Sequence, residues 1–387
     1  MSYLYTAVLP ILVASLAVFM IHPKLVKVAN LKQIVDNPNA RKLNKVPVPV
    51  LGGVGVFFGI MFSMGVAGYY LDRINIPYAI IIAMLLLLYI GVGDDILGLT
   101  PRTRFIMQIF TVCLMMFFGR TYMDNLHGIW GIYELPKIVA GALTVFACVG
   151  IINALNLIDG VDGLCSGYGM FASFLFGKCF IEMGDTTCAV LSFSMFGALL
   201  PFMLYNVFGR KLKMFLGDGG SLIVGFLCAL FVTRIIQTGS DTVTGSTISF
   251  TLAILAIPVF DTIRVMLARI YNRRSPFHPD KTHLHHMFIS LGFSHVITSI
   301  NIIALNGLVV VAWHLCNVLN TSVEVQLYVT IVAGVLATWG LYYYVDYIRE
   351  KRPSTYSAMQ RFVEKYSVHR SGIMMKIGEV LDKHNIG

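Results

Sequence analysis

Long apolar runs, each bounded by charged residues, prolines or glycines, recur along the whole chain of 387 residues. A hydrocarbon core about 30 Å thick requires about 20 apolar residues in each crossing helix. Hydrophobic residues make up 57% of the chain and charged residues only 13%, against about 25% in a soluble domain. The sequence therefore predicts an all-α, polytopic membrane protein without a separate soluble domain. Its eleven predicted transmembrane helices lie near residues 4–22, 51–71, 77–93, 105–119, 138–156, 165–182, 188–208, 219–236, 247–268, 297–317 and 325–346.

The distribution of Lys and Arg predicts which end of each helix faces the cytoplasm. No Lys or Arg precedes the first apolar run, whereas Lys24 and Lys27 follow it, which indicates an uncleaved anchor with the N-terminus outside. Alternation from there places 23 of the 29 Lys and Arg residues on one side, which the positive-inside rule identifies as cytoplasmic. We therefore expect a transmembrane domain over residues 1–346 and a basic cytoplasmic tail over residues 347–387.

Acidic and amide side chains gather at the ends of the predicted helices, and all of them map to the predicted cytoplasmic side. Ionisable groups within a membrane helix are costly, so their placement is informative. Carboxylates at one membrane face beside Gly-rich turns suit a hard cation such as Mg²⁺, which takes oxygen ligands from one or two carboxylates and from substrate phosphates. The sequence therefore predicts a site for a metal and a phosphate compound. The residues concerned are Asp94, Asp95, Asn153, Asn156, Asp159, Asp162, Asp218 and Asp261.

Two of these motifs also have a simpler explanation. The pair Asp94 and Asp95 could be a solvated helix end, although acids at a helix C-terminus oppose its dipole. The segment 217–221, GDGGS, resembles a phosphate-binding turn at a helix N-terminus, and a flexible loop with a capping side chain explains it equally well. The polar residues from 153 to 162 recur at every third position, which on a continuing helix keeps them near one face.

Three histidines, His283, His285 and His286, lie close together in a basic segment. Histidines at this spacing cannot easily converge on one tetrahedral zinc ion, and no Cys lies nearby. We therefore predict that they donate to phosphate oxygens, beside Arg273, Arg274 and Lys281. Four further histidines are isolated in the sequence, and we predict structural or interfacial roles for those at positions 22, 127, 295 and 314.

An ion-coupled membrane transporter would also carry carboxylates within its membrane domain. Transporters usually bind their cargo near the bilayer midplane, at broken helices and often between two repeated halves. Here the acids lie at one face, and the sequence shows no convincing internal repeat. An enzyme that acts on a phosphate compound at the membrane surface is therefore the favoured prediction, and a transporter is the alternative.

Five motifs in order resemble the signatures of the polyprenyl-phosphate N-acetylhexosamine-1-phosphate transferases, glycosyltransferase family 4. The HxHH form of the last motif is similar to the branch of undecaprenyl-phosphate N-acetylglucosamine-1-phosphate transferases that start O-antigen, enterobacterial common antigen or teichoic acid chains. Many relatives carry a histidine at the position of Asn44 and an acid at that of Gly98, so the family's roles do not transfer there. The motifs are PNARKLNKVPVPVLGG, GVGDDILG, NALNLIDGVDGLCSG, FLGDGGSL and SPFHPDKTHLHH.

The resemblance implies a catalytic transmembrane domain in a bacterial inner membrane, with its active site facing the cytoplasm. The implied reaction is Mg²⁺-dependent, with Mn²⁺ as a substitute, and transfers a sugar phosphate from a UDP-N-acetylhexosamine to undecaprenyl phosphate with release of UMP. The bilayer is an expected partner, nucleic acid is not, and a homodimer is expected by family likeness only. Basic candidates for phosphate contacts are Arg41, Lys42, Arg102 and Arg104. The implied metal ligands are Asp218 and Asn156; the catalytic residues are Asp94, Asp95, Asp159, His283, His285 and His286; the substrate-binding residues are Asp162, Phe215, Asn153, Arg274 and Lys281.

Overall fold

The computed structural model describes residues 3–38, 46–71, 74–237, 244–276, 280–366 and 372–383, and these are mainly helical. A π-helical turn, Leu4–Val8, leads into the first helix, and two short antiparallel strands, β1 (Val35–Asp36) and β2 (Val48–Pro49), follow it. The α-helices of the described residues are α1 Leu9–Leu31, α2 Gly52–Tyr70, α3 Tyr78–Leu97, α4 Pro101–Phe117, α5 Lys137–Leu157, α6 Leu164–Met183, α7 Thr186–Phe208, α8 Gly217–Ile236, α9 Gly245–Ile254, α10 Ala256–Tyr271, α11 Leu284–Ser290, α12 His295–Val318, α13 Val323–Val335, α14 Leu341–Lys351, α15 Pro353–Tyr366 and α16 Gly372–Lys383.

The long apolar helices confirm a polytopic membrane protein. Within the described ranges, nine helical segments are long and apolar enough to span a bilayer, and the bent pair α9 and α10 would make a tenth. The predicted fourth span is α4, which has 17 residues and carries Arg102 and Arg104 in its first turn. The eleven predicted spans therefore all fall on helices, while the count of eleven and the orientation of the termini stay predictions.

The predicted ninth span, expected as one helix, is broken. α9 and α10 meet at Leu255 with a bend of 70°. A break inside a membrane helix frees backbone groups that need new partners. The buried Asn306 of α12 supplies them, because its Nδ2 donates to the carbonyls of Ala253 (3.1 Å) and Ile254 (2.9 Å) while its Oδ1 accepts from the N–H of Ile257 (3.0 Å). Hydropathy alone could not locate this break, because the partner lies about fifty residues away in sequence.

Helix α8 is the most buried of the candidate spans, and glycines set how closely its neighbours approach. A Cβ atom placed on Gly91 of α3 would lie 2.2 Å from Gly219 Cα, and one on Gly53 of α2 would lie 2.3 Å from the backbone nitrogen of Gly220. These backbone contacts tolerate no side chain. They bring the ends of α2 and α3 against the first turn of α8, where the acidic motifs meet.

The C-terminal tail, which the sequence predicts only as a basic segment, is helical over most of its described residues. α14 continues past residue 346, and two further helices follow it. α15 packs on the turn after α11, where Gln360 Nε2 donates to the carbonyl of Ser290 at 2.9 Å. α16 packs on the end of α7, where Leu381 is buried together with Leu212 and Met214. The tail is therefore folded back on the loops of the bundle.

Candidate active site

The acidic face is the end of the helix bundle at which α3, α5, α7 and α10 end and α8 begins. A cavity of about 570 Å³ opens there, within the range of small-molecule sites. It joins residues that are far apart in sequence, and it lies beside a larger apolar groove. Its walls are formed by Asp36, Val46, Val48, Val50, Asp95, Asn156, Asp159, Gly160, Val161, Asp162, Asn206, Lys213, Phe215, Leu216, Gly217, Asp218, His286 and His295.

Asp95 holds the N-terminus of α8. Its two carboxylate oxygens accept from the backbone N–H of Asp218 at 3.2 and 3.0 Å. Gly217 makes this approach possible, since its φ of 72° favours glycine and a Cβ there would lie 2.5 Å from Asp95 Oδ2. The phosphate-turn interpretation of GDGGS therefore needs correction. The Asp218 N–H at this helix end binds a carboxylate of the chain itself, and Gly219 and Gly220 serve the packing of α8 against α3 and α2.

Arg104, near the start of α4, lies between two of the carboxylates. Its Nη1 is 2.8 Å from Asp94 Oδ2 and 3.2 Å from Asp218 Oδ2. The other oxygen of Asp94 accepts from the N–H of Leu99 at 2.6 Å. One guanidinium thus offsets the repulsion between two acids that would otherwise face each other, and it contacts the predicted metal ligand directly.

Asn156 joins α5 to α8. Its Nδ2 donates to Asp218 Oδ1 (2.8 Å) and to Ser221 Oγ (2.9 Å). Asn153 points elsewhere: its Nδ2 donates to Gln108 Oε1 of α4 at 2.7 Å and to the carbonyl of Val149 at 2.8 Å. The expectation that the polar residues from 153 to 162 share one face of a continuing helix is wrong, because α5 ends at Leu157 and a turn follows.

The donor set around Asp218 fits a magnesium ion better than a zinc ion. Among the described residues, no three His, Cys, Asp or Glu side chains converge as a metal site. Mg²⁺ needs fewer protein ligands, because it is usually held by one or two carboxylates, water and substrate phosphates. A half-turn of the Asn156 amide would direct its oxygen where its nitrogen now lies, beside Asp218 Oδ1. Asp218 and Asn156 therefore fit the predicted ligand pair.

Lys213, Asp162 and His295 form a polar cluster on the opposite wall of the cavity. Lys213 Nζ lies 2.6 Å and His295 Nδ1 3.0 Å from Asp162 Oδ2. Burial alone would raise the pKa of Asp162, but the hydrogen bond to His295 and the charge of Lys213 outweigh it and lower that pKa. Lys213 also lies 5.6 Å from the ring centre of Phe215. The isolated His295, expected in a structural or interfacial role, is therefore a site residue.

Asp159 lies in the turn between α5 and α6 and is half-buried. Its pKa is raised well above the usual range, first by desolvation and then by the nearby carboxylates of Asp218 and Asp95. This acid holds its proton more tightly than an ordinary aspartate. Its side chain lines the cavity.

The histidine segment is anchored by Asp261 of α10. Asp261 Oδ2 accepts from His283 Nδ1 at 3.0 Å, and its carboxylate also accepts from the backbone N–H of Leu284. Arg264 completes the anchor, since its Nη2 donates to Asp261 Oδ1 (2.7 Å) and to the carbonyl of Thr282 (2.6 Å). These contacts fix the start of α11 relative to the bundle.

Of the three predicted histidines, His286 lines the cavity, while His285 is buried beside Gly160. Burial, followed by the neighbouring histidines, lowers the pKa of His285 well below its usual value. Burial and His283 lower the pKa of His286 to about 4. Both imidazoles are therefore neutral at neutral pH.

Several predicted binding residues do not reach this cavity. Arg274 and Lys281 are exposed, and neither is among the described residues that line it. Asn153 lines the apolar groove instead. The positions of Arg41, Lys42 and Asn44 lie outside the described residues.

The apolar groove has a volume of about 1820 Å³ and runs along α4, α5, α9 and α10. At the acidic face its wall includes Phe105, which follows Arg104, and Asn153, which lies one helical turn before Asn156. At the other end it reaches Glu134 and Lys137. The apolar groove therefore runs along the bundle and ends beside the carboxylates.

Comparison with known proteins identifies the family. The family model described as glycosyl transferase family 4 matches residues 77–236. An undecaprenyl-phosphate alpha-N-acetylglucosaminyl 1-phosphate transferase of Escherichia coli (strain K12) is 34% identical over 271 residues, covering 69% of this chain and 72% of the relative. This chain belongs to glycosyl transferase family 4. A family 4 relative of the same name from Salmonella typhi is 32% identical with the same coverage, and one from Haemophilus influenzae is 31% identical over 83% of this chain and 82% of its own.

The family predicted from the five motifs is thus confirmed, and nothing in these relatives supports the transporter alternative. Sequence reasoning within family 4 missed two cavity residues, Lys213 and His295, because neither lies in a motif of acids, glycines or clustered histidines. The signal that could have found them is charge balance. A buried acid such as Asp162 requires a cationic or hydrogen-bonding partner, and few basic residues lie near the predicted site.

Proposed function

We propose that this family 4 protein transfers N-acetylglucosamine 1-phosphate from UDP-N-acetylglucosamine to undecaprenyl phosphate and releases UMP. The single observation that carries the proposal is the meeting of a polar, carboxylate-lined cavity with a long apolar groove at one face of the bundle. Such a pair of spaces suits a reaction between a water-soluble nucleotide sugar and a lipid phosphate. The names of the relatives support the same pair of substrates.

The wall formed by Lys213, Phe215 and Asp162 suits the nucleotide. The half-buried Phe215 ring offers a face on which a pyrimidine can stack. The Asp162 carboxylate is ionised and can accept from the N–H of a uracil ring, while Lys213 supplies a positive charge near its phosphates. His286, on the same cavity, is neutral and directs a hydrogen bond to the diphosphate or the sugar.

Asp218 and Asn156 would hold Mg²⁺, with Mn²⁺ as a substitute. When bound, the ion neutralises the charge that spreads over the phosphate oxygens during transfer. Asp95 orients Asp218 by accepting from its backbone N–H, and it is therefore a positioning residue in this proposal.

The end of the groove beside Arg104 suits the lipid phosphate. An oxygen of that phosphate attacks the β-phosphorus of the nucleotide sugar, and the bond from this phosphorus to the oxygen bridging the two phosphates breaks, so that the electron pair leaves with UMP. A lipid phosphate is already ionised at neutral pH, so the chain need not remove a proton from it. Arg104 and Asp94 then act by positioning and by balancing charge.

The proposed location is the inner membrane of a bacterium, with the acidic face toward the cytoplasm. The excess of Lys and Arg in the loops of this face supports that orientation. UDP-sugars are cytoplasmic compounds, so the same orientation gives the cavity access to its donor.

The test is release of UMP by purified protein supplied with undecaprenyl phosphate, Mg²⁺ and one UDP-sugar at a time, including UDP-GlcNAc, UDP-GalNAc and UDP-MurNAc-pentapeptide. UMP release with UDP-GlcNAc is expected. Asp218→Asn should abolish it without changing the melting temperature, whereas Glu182→Gln, which removes an exposed charge from α6, should leave it intact. Absence of UMP release with every donor from folded protein would refute the proposal.

A further inference from the structure

We infer that Asp382, in the last helix of the tail, positions the nucleotide-binding wall, so that α16 is a working part of the donor site. This inference rests on the proposed function, since it assigns the loop at residues 209–216 to nucleotide binding. It concerns a segment that the five motifs do not include and that composition alone marks only as a basic tail. Its basis is a direct contact between the two.

The Asp382 carboxylate accepts from two consecutive backbone N–H groups of that loop. Its oxygens lie 3.2 Å from the nitrogen of Lys211, and Oδ1 lies 3.2 Å from the nitrogen of Leu212. Neither donor belongs to a helix or strand, so the carboxylate supplies partners that the local backbone lacks. One side chain of α16 therefore holds the first half of the loop.

Apolar contacts fix α16 at this position. Leu381, 7% exposed, is buried in one cluster with Leu212 and Met214. A Cβ on Gly378 would lie 2.6 Å from the carbonyl oxygen of Phe208, so the two helices are in close backbone contact where α7 ends. The Asp382 contact is thus supported by packing along the helix and is not an isolated surface pair.

Leu212 is held from both sides. While Asp382 accepts from its N–H, His22 Nε2 of α1 lies 2.9 Å from its carbonyl oxygen. The next residue is Lys213, which reaches Asp162 at 2.6 Å, and Phe215 follows two positions later. Release of Leu212 would therefore let the two residues assigned to the nucleotide lose their orientation.

Later parts of the loop have separate anchors. Asn206 Nδ2 donates to the carbonyl of Met214 at 2.9 Å, and the N–H of Phe215 donates to the carbonyl of Pro49 at 2.8 Å. These contacts would remain when Asp382 is lost. We therefore expect a loosened donor site and not an unfolded one.

The experiment compares Asp382→Ala with Glu379→Ala, which removes an exposed acid of the same helix, in the full-length protein. Asp382→Ala should raise KM for UDP-GlcNAc about tenfold, with kcat and the KM for undecaprenyl phosphate changed less than about twofold, because the lost contact serves donor binding. Asp382→Asn, whose amide oxygen can still accept from one N–H, should have a KM for UDP-GlcNAc between those of Asp382→Ala and the wild type. Glu379→Ala should match the wild type.

Hydrogen exchange provides a readout that needs no substrate. Amides of residues 209–216 should exchange faster in Asp382→Ala than in Glu379→Ala. If the wild type neither binds nor uses UDP-GlcNAc, the proposed function fails, and exchange alone decides whether Asp382 positions this loop. Unchanged exchange would overturn the positioning role, and unchanged donor KM in an active enzyme would overturn the link to the donor site.

Discussion

Replacement of Gly91 by alanine should damage the acidic face through backbone contact alone. Gly91 lies one turn before Asp95 on α3, and a Cβ there would lie 2.2 Å from Gly219 Cα on α8. Ordinary contact begins at 3.4 Å, so the two helices would have to separate by about 1.2 Å. Gly93 is the matched control, since a Cβ at this position meets nothing within 4 Å.

The two substitutions should differ in the sign of their effect on stability. Alanine is a better helix former than glycine by about 1 kcal/mol, which favours both variants. At Gly91 the clash costs about 1–3 kcal/mol and offsets that gain, while at Gly93 nothing does. We expect Gly91→Ala to lower the free energy of unfolding by about 1 kcal/mol and Gly93→Ala to leave it unchanged or raise it.

The effect on turnover should be larger than the effect on stability. The contact of Asp95 with the Asp218 N–H, at 3.0 Å, would not survive a shift of that size. Since misplacement of a reacting group by about 1 Å can cost about a hundredfold in rate, kcat for UMP release should fall by that order in Gly91→Ala. Thermal unfolding and UMP release in detergent measure both quantities. Equal stability and equal kcat in the two variants would refute the argument from close helix contact.

Three further predictions test other parts of the structure. Lys213→Met should raise KM for the UDP-sugar about tenfold. It should also shift the loss of stability at acid pH to higher pH. The pKa of Asp162 is lower in the folded chain than in the unfolded chain, so the stabilisation by this carboxylate is present above the unfolded pKa and is lost as pH falls toward the folded pKa. Without the Lys213 ammonium this difference in pKa shrinks, and an unchanged pH dependence of stability would contradict the prediction. Asn306→Leu should lower the free energy of unfolding by about 2 kcal/mol, because the carbonyl of Ala253 and the N–H of Ile257 lose this partner while the carbonyl of Ile254 keeps only the Tyr168 hydroxyl. An unchanged melting temperature would show that the bend needs no such support. EDTA should stop UMP release, and Mg²⁺ or Mn²⁺ should restore it; full activity in the chelator would remove the metal from the proposal.

The membrane architecture could be predicted from the sequence because hydropathy is a local signal. The predicted spans fall on helical residues, although the ninth is divided between α9 and α10, since about 20 apolar residues in lipid have few alternatives to helical structure. The failures are equally physical. The bend at Leu255 depends on the side chain of Asn306 in α12. The Asp218 N–H, expected to bind a phosphate, donates instead to the Asp95 carboxylate of α3. In both cases the deciding residue is distant in sequence, so local patterns could not predict the result.

The residues of the candidate site that could be predicted from sequence are those whose type is rare in membrane helices. Acids at helix ends are rare enough to be noticed, and Asp95, Asp159, Asp162 and Asp218 do line one cavity. Proximity in sequence to the histidines predicts Arg274 at the site, yet its side chain is exposed and does not line the cavity. Proximity along the chain is a weak guide here, because Arg274 lies in the loop after α10 whereas His285 and His286 lie on α11.

Residues that supply counter-charges or hydrogen-bond partners to the site are the hardest to predict from sequence, because only their contacts with other residues distinguish them. In the sequence Lys213 resembles any interfacial lysine, and only the structure shows it 2.6 Å from Asp162. Asp382 likewise resembles any acid of a polar tail, and only the structure shows that it accepts from the N–H groups of Lys211 and Leu212. A cavity that gathers this many carboxylates must draw its counter-charges and its backbone partners from wherever the chain can supply them. The tail is such a source, because its last described helix is folded against the loop that carries Lys213. Its basic composition therefore understates its role, which in this structure depends on one acid.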